Sequence, residues 1–345
     1  MAQPGIGGAP VTMKTIAQHL GVSVTTVARA LKDGHKVGPE MVEKVRETAE
    51  RLGYVRNLEG AKLRTGKTLV AMAFLSFTEE EEIGDSGSVG LLQGIHKRFA
   101  GTDYAVRAVP VAMGDLALDQ VREVVRGRNA DGLILDHTEL QDDRVKFLLE
   151  ADFPFITFGR TELLSPHPFF DVDNEYAAWQ STDALLREGH RRVALVDGDL
   201  RYSYVRQRVR GYETALREHG IEPDPALRHH DMLDANRARK AAGRLLDAKA
   251  DGFVCVNELT FLGTRAGVRD LLGADVEHIG FALRSGTNIA EYVATKVYTS
   301  HFSRQEAGRK LADLLLKRID GAAPEDCQEL AKTTLSVNGT PHETL

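Results

Sequence analysis

The chain has 345 residues, 42% of them hydrophobic, and a formal net charge of −6. That length exceeds one ordinary core and predicts two or three domains, while the absence of any apolar run near 18 residues excludes a membrane-spanning helix. Two cysteines, Cys255 and Cys327, are too few for a disulfide framework and lack neighbours at zinc-ligand spacing, and the opening MAQPGIGGAP has neither the charged nor the apolar region of an export signal, so a cytoplasmic protein is expected.

Residues 1–10 carry no pattern and read as disordered. Residues 11–67 hold eleven Lys or Arg against six Asp or Glu, so a small basic module precedes an acidic body. Thr12 is placed to cap a first helix, with Met13, Ile16 and Leu20 on one face and Gly21 as its stop. Ser23 then caps a second helix, on which Thr26, Val27, Ala30 and Leu31 share one arc and Val24, Thr25, Ala28 and Arg29 the opposite one. Small side chains and a single Arg facing outward suit a helix in a DNA major groove. They permit close approach, methyl contacts to thymine, hydroxyl contacts to phosphate and a bidentate Arg on guanine. Gly38, Pro39 and Glu40 open a third helix with Val42, Val45, Ala49 and Leu52 inside and Gly53 at its end. Spacing alone leaves an unrelated three-helix bundle open.

The stretch VTMKTIAQHLGVSVTTVARAL, followed by KVGPEMVEKVRETAERLGYVRN, resembles the DNA-binding headpiece of the lactose/galactose repressor (LacI/GalR) family, continuously from Val11 to about Lys67. The resemblance implies a helix-turn-helix domain over 11–56, with Val24, Thr25 and Arg29 reading base edges and Thr12, Ser23 and Thr26 holding phosphates. It also implies a hinge helix over 57–67, NLEGAKLRTGK, which orders on DNA. There Asn57 is an expected DNA contact, and Leu63 is expected to wedge into the minor groove. Three positions depart from the family pattern: Arg56 stands where Pro is usual, Glu59 where an apolar residue is usual, and Gly60 where Ala is usual. Gly60 costs roughly 1 kcal/mol of helix stability relative to Ala.

From Thr68 onward, apolar runs of strand length alternate with amphipathic helix patterns. LVAMAFLS (69–76), YAVRAV (104–109), GLILD (132–136) and PFITF (154–158) form a first set of strands. RVALVD (192–197), a short strand near His229, GFVCVN (252–257) and HIGFAL (278–283) form a second. Helices are expected at 89–100, 116–127 and 141–150, then from near Glu175, Tyr204, Ala235 and Leu259. Buried strands alternating with helices predict parallel sheets covered on both faces, and two sets predict two subdomains with a cleft. This part resembles the periplasmic-binding-protein-like core of the same family, to about Val337. The implied fold is an all-α headpiece plus an α/β core, 68–339, of two doubly wound parallel-sheet subdomains. The resemblance places chain crossings near Leu164, Ser300 and Asp326, giving a first subdomain of 68–164 and 300–325, including a helix over 304–319, and a second of 165–299 and 326–339.

Ligands of open parallel sheets bind beyond the carboxyl ends of the strands. The candidates are Ser76 and Phe77, Asp136, Arg160, Tyr204 to Arg208, and Asn257. By motif, Arg208 in VRQRVRGYETAL matches the family's effector-binding Arg, and Asn257 in VNE matches its Asn. Arg offers a rigid fork to adjacent hydroxyls or a carboxylate, and Asn offers a donor and an acceptor. GFALRS departs from the family by placing Ala282 where an Asp usually accepts from ligand hydroxyls. This points to an unusual sugar or a ligand that is not a neutral sugar, with Asp171 and Asp173 as alternative carboxylates. Tyr204 and Trp179 are candidate stacking surfaces, although a lone Trp on a helix also suits a core.

Glu79 to Glu82 reads as a solvated loop, and His229-His230-Asp231 lacks further ligands at metal spacing. No phosphate-binding Gly-rich loop, nucleophile elbow or H-E-x-x-H occurs, so neither a cofactor, a metal nor an enzymatic activity is expected. The expectation is a homodimeric transcriptional regulator, chiefly a repressor of carbohydrate genes. Its expected partners are double-stranded operator DNA and a small-molecule effector, a glucoside or small disaccharide acting as inducer, with no membrane partner. The alternatives are a regulator of the same family using a non-sugar co-repressor, a sugar-binding protein without a regulatory role, and an enzyme on a doubly wound core.

Overall fold

The computed structural model describes residues 11–32, 34–54, 65–77, 86–112, 117–231, 233–293 and 296–341. The chain divides into two compact units, 1–67 and 68–345.

In the first unit, helices α1 (Met13–Leu20), α2 (Val24–Lys32) and α3 (Pro39–Leu52) enclose Ile16, Ala17, Val27, Ala30, Val45 and Ala49. Their ends follow the local chemistry. The Thr12 hydroxyl accepts from the Thr15 N–H, and Gly21 adopts φ +66°, where a side chain would be strained. Pro39 follows the Gly38 cap of α3, because its missing N–H costs nothing in the first turn.

The second unit contains two sheets. The first is entirely parallel, in the order β11-β5-β4-β3-β1-β2, with β1 Val70–Phe77, β2 Ala105–Ala112, β3 Gly132–Leu135, β4 Phe155–Phe158, β5 Phe169–Val172 and β11 Gln328–Ala331. The second runs β13-β12-β10-β9-β8-β6-β7, with β6 Val193–Asp197, β7 Arg228–His230, β8 Gly252–Cys255, β9 Gly280–Ser285, β10 Val297–His301, β12 Thr334–Val337 and β13 Thr340–Pro341. It is parallel except at one edge, where β12 and β13 pair antiparallel. The helices on the first sheet are α4 (Ser86–Phe99), α5 (Leu118–Arg126), α6 (Asp143–Glu150) and α11 (Arg304–Ile319). Those on the second are α7 (Asn174–Glu188), α8 (Ser203–Glu218), α9 (Ala235–Asp247) and α10 (Glu258–Leu272).

The crossings fall later than the resemblance implies. No strand is expected from sequence at HPFFDVDNE, but Phe169–Val172 is a strand of the first sheet, and Gln328–Ala331 lies beside it. The chain therefore changes lobe after Val172, after His301 and after Ala331, not near Leu164, Ser300 and Asp326. The residues from 165 to 172 and from 326 to 331 go with the first lobe. The physical reason is pairing: the free edge of β4 takes up β5, which in turn takes up β11, before the chain leaves the sheet.

Helix pairing depends on missing side chains. A Cβ on Gly211 of α8 would strike the Glu175 carbonyl of α7, one on Gly308 of α11 the Leu91 carbonyl of α4, and one on Gly263 of α10 the Ala235 carbonyl of α9. Each pair is drawn together at a glycine, which fixes the lobe faces above the strand ends.

Candidate functional site

On the headpiece, Val27 and Ala30 are fully buried while Val24, Thr25 and Arg29 are exposed on the opposite face of α2. The Ser23 hydroxyl accepts from the Thr26 N–H at 3.0 Å and lies 2.8 Å from the Thr26 hydroxyl. Thr12 and Ser23 thus close the starts of α1 and α2, where unsatisfied N–H groups favour an anion. Asn57 and Leu63 lie outside the described residues, as do Arg56, Glu59 and Gly60.

Between the carboxyl ends of the two sheets of the second unit lies a cavity of about 420 Å³. It opens where strand order reverses in each sheet: beside β1 and β3 in one, beside β6 and β8 in the other. Asp136, just after β3, is held there by the Ser76 N–H at 2.8 Å and the Ser76 hydroxyl at 3.0 Å, with His137 Nδ1 3.1 Å from its carboxylate. Burial opposes its charge, but His137, the Ser76 N–H and Arg144 outweigh burial and hold its pKa below the ordinary range. Ser76 therefore orients Asp136 and does not itself line the cavity. The Phe77 side chain is not among those described.

On the opposite wall, Arg208 donates from Nε to Asp197 at 2.8 Å and from a second nitrogen to its other oxygen. Its guanidinium carbon lies 4.9 Å from the Tyr204 ring centre, and Tyr204 stacks on Tyr202. Asn257 lines the cavity too, but its side-chain oxygen accepts from the Thr260 N–H and caps α10, leaving the amide nitrogen for a ligand. Glu258 accepts from the Ser285 hydroxyl at 2.7 Å and the Thr287 hydroxyl at 2.8 Å. The lobes touch along one side of the cavity, where the Ser203 N–H donates to the Thr138 carbonyl at 3.1 Å and Glu139 bridges to Tyr202.

Arg160 is not brought to this cavity. It pairs with Asp171 at 2.9 Å, reaches Gln207, and lines a shallower hollow that also contains Trp179. Asp171 lines the cleft itself. Burial pushes its carboxyl up to about 6 against the opposing pull of Arg160. Asp173 caps α7. Trp179 donates to Glu218 outside the cleft and stacks on Tyr176. Among the described residues no cluster of His, Cys, Asp and Glu is arranged to hold a metal ion, and no helix is long and apolar enough to cross a membrane.

A family model described as "Bacterial regulatory proteins, lacI family" matches residues 12–57, and one described as "Periplasmic binding proteins and sugar binding domain of LacI family" matches residues 84–335. The chain belongs to the LacI family. The HTH-type transcriptional regulator RafR of Escherichia coli is 31% identical over 332 residues, covering 92% of this chain and 95% of its own. Among solved structures, the transcriptional regulator CelR–cellobiose complex matches at 22% identity and TM-score 0.69, over 94% of this chain and 98% of its own. The Lac repressor dimer bound to operator and the anti-inducer ONPF matches at 19% identity and TM-score 0.71, over 97% and 100%. These two likenesses are to the fold. This LacI-family protein is a helix-turn-helix, DNA-binding transcriptional regulator, and its relatives are regulators rather than enzymes.

Among the side chains of the LacI-family cleft that escape the sequence reading are the charged groups Glu258, Arg284 and Arg304. Arg284 carries a visible signal, a charge inside the apolar strand GFALRS, and the structure buries it to 5% exposure. Arg304 opens α11, where it reads as an ordinary surface cation until the crossing after His301 brings it beside Phe158.

Proposed function

We propose that this regulator is a cytoplasmic homodimer that represses carbohydrate catabolism or transport genes and releases a pseudo-palindromic operator when a sugar occupies the cleft. The observation carrying this reading is the cavity at both sets of strand ends, lined with forked and amide donors, on a chain that also carries a DNA-binding headpiece. The headpiece would lay Val24, Thr25 and Arg29 against base edges, with Thr12, Ser23 and Thr26 on phosphates and Asn57 and Leu63 at the operator centre. In the cleft, Asp136, Tyr204, Arg208 and Asn257 would hold the effector, with Ser76 behind Asp136. CelR, solved with cellobiose, supports a saccharide as the ligand class.

The test selects a DNA site from a random pool, then titrates it by fluorescence anisotropy with and without a panel of saccharides. Sedimentation supplies the oligomeric state. A two-fold symmetric site and a roughly 5- to 150-fold loss of affinity with one saccharide are expected. Operator affinity indifferent to every saccharide would remove the sugar from the reading.

A further inference from the structure

One buried cation in the cleft makes no ion pair among the described residues. Arg284 is 5% exposed at the end of β9, its Nε has no hydrogen-bond partner, and its side chain makes no hydrogen bond among the described residues. None of the carboxylates around the cavity reaches Arg284 as an ion pair, and each hydrogen-bonds other groups. Asp197 takes the fork of Arg208, Asp136 takes Ser76, Asp171 takes Arg160 and Asn174, and Glu258 takes Ser285 and Thr287. Ala282, on the same face of β9 two residues earlier, has no charge to offer. Arg304 also lines the cavity, its guanidinium carbon 5.3 Å from the Phe158 ring centre and its stem against Gly90 and Gly286. Burial, then the guanidinium groups of Arg304 and Arg208, pull the Arg284 pKa well below its ordinary value against the weaker pull of Glu258 and Asp171. A buried cation without a direct ion pair is costly, and its place in a ligand cavity points to a partner supplied by the ligand.

We propose that the effector carries an anionic group, a carboxylate or a phosphate, that binds the open fork of Arg284 with Arg208 and Arg304 beside it; the ligand is then an acidic sugar rather than a neutral one. This rests on the reading of the cleft as the effector site. A neutral diol would satisfy the Nε hydrogen bond but leave the charge unanswered, whereas an anionic oxygen pair supplies both.

The test uses the full chain with glucuronate, glucose 6-phosphate and glucose at matched ionic strength, read by thermal unfolding and calorimetry. At least one acid should raise the melting temperature and bind about tenfold or more tightly than glucose, glucuronate leading if the site takes a carboxylate and glucose 6-phosphate if it takes a phosphate. Arg284→Met should melt higher than the parent without ligand, because the unpaired charge is gone, and should lose the preference for acids. Arg284→Lys should keep part of it. Equal binding of glucose, no protection by either acid, or an unchanged preference in Arg284→Met would each overturn the proposal, and the parent measurements decide it even if Arg284→Met does not fold. Operator titrations separate the two readings. Neutral sugars that release DNA while the acids do nothing would leave the regulatory reading standing and remove the anionic site. Acids that protect the chain while operator affinity never responds would do the reverse.

Discussion

Arg208 is both a cleft side chain and the sole hydrogen-bonded cation on Asp197 among the described residues, so its removal has two effects. Arg208→Ala should lower stability by about 3–5 kcal/mol, because Asp197 stays buried without its partner. A urea titration will show this, and ligand response is better read in the double variant Arg208→Met, Asp197→Asn. Asp171 gives a pH signature. Its folded pKa of about 6 lies above the ordinary 3.8. The native state therefore holds the proton more tightly, and the burial cost is relieved as pH falls. Relative to Asp171→Asn, the parent should gain up to ~3 kcal/mol between pH 6 and pH 4, and a parallel pair of curves would place the raised pKa elsewhere. Arg29, exposed on α2, should cost roughly 1–3 kcal/mol on the selected site when changed to Ala, with relaxed preference at one base pair, whereas equal loss on random DNA would make it a phosphate contact. Asp136, Arg208 and Asn257 were legible because strand ends and short motifs locate them. Arg160 was not, because position after a strand does not say which way a long side chain turns. Arg284 was missed because strand periodicity treats a lone charge as noise.

At the scale of elements, the long buried runs announced most strands to within a few residues. The short ones were hidden for physical reasons. Phe169–Val172 sits between Pro168 and the Asp173 cap, so four residues look like part of a turn, and Gln328–Ala331 shows only a weak alternation of exposed and half-buried positions. Their pairing depends on partners far along the chain, which no local window contains. The helix contacts depend on glycines inside otherwise helical patterns, where two backbones meet, and these escape the sequence reading. Gly211→Val should therefore separate α7 from α8 and destabilise the second lobe by about 1–3 kcal/mol or more, visible as a lowered midpoint in chemical denaturation. An unchanged midpoint would mean that the helix pair yields at no cost.

At the scale of the whole molecule, the three lobe crossings are tied to one another. The Ser300 and Thr333 hydroxyls both donate to Gln180 Oε1 at 3.1 Å, and the Asp173 N–H donates to the Ala331 carbonyl at 2.7 Å. Gln180→Leu would leave the buried Thr333 hydroxyl without its acceptor, at a cost of about 1–3 kcal/mol, while the Ser300 hydroxyl keeps the Ala177 carbonyl at 3.2 Å. It should also alter how strongly the cleft ligand changes operator affinity, because the ties between the lobe crossings have been loosened. Coupling equal to that of the parent would show that the pivot lies elsewhere. The same crossings bear on how the protein is made. The headpiece is contiguous in sequence and has its own core, so it is complete once its own residues have left the ribosome. The first lobe has to wait for α11, which brings Ala307, Leu311, Ala312, Leu314 and Leu315 to an apolar face begun more than two hundred residues earlier, and for β11, which adds Ala331 beside it. A nascent chain paused before Arg304 would thus present a finished DNA reader on an unfinished sensor with that face open, a form suited to chaperone capture and proteolysis before it could occupy an operator unregulated.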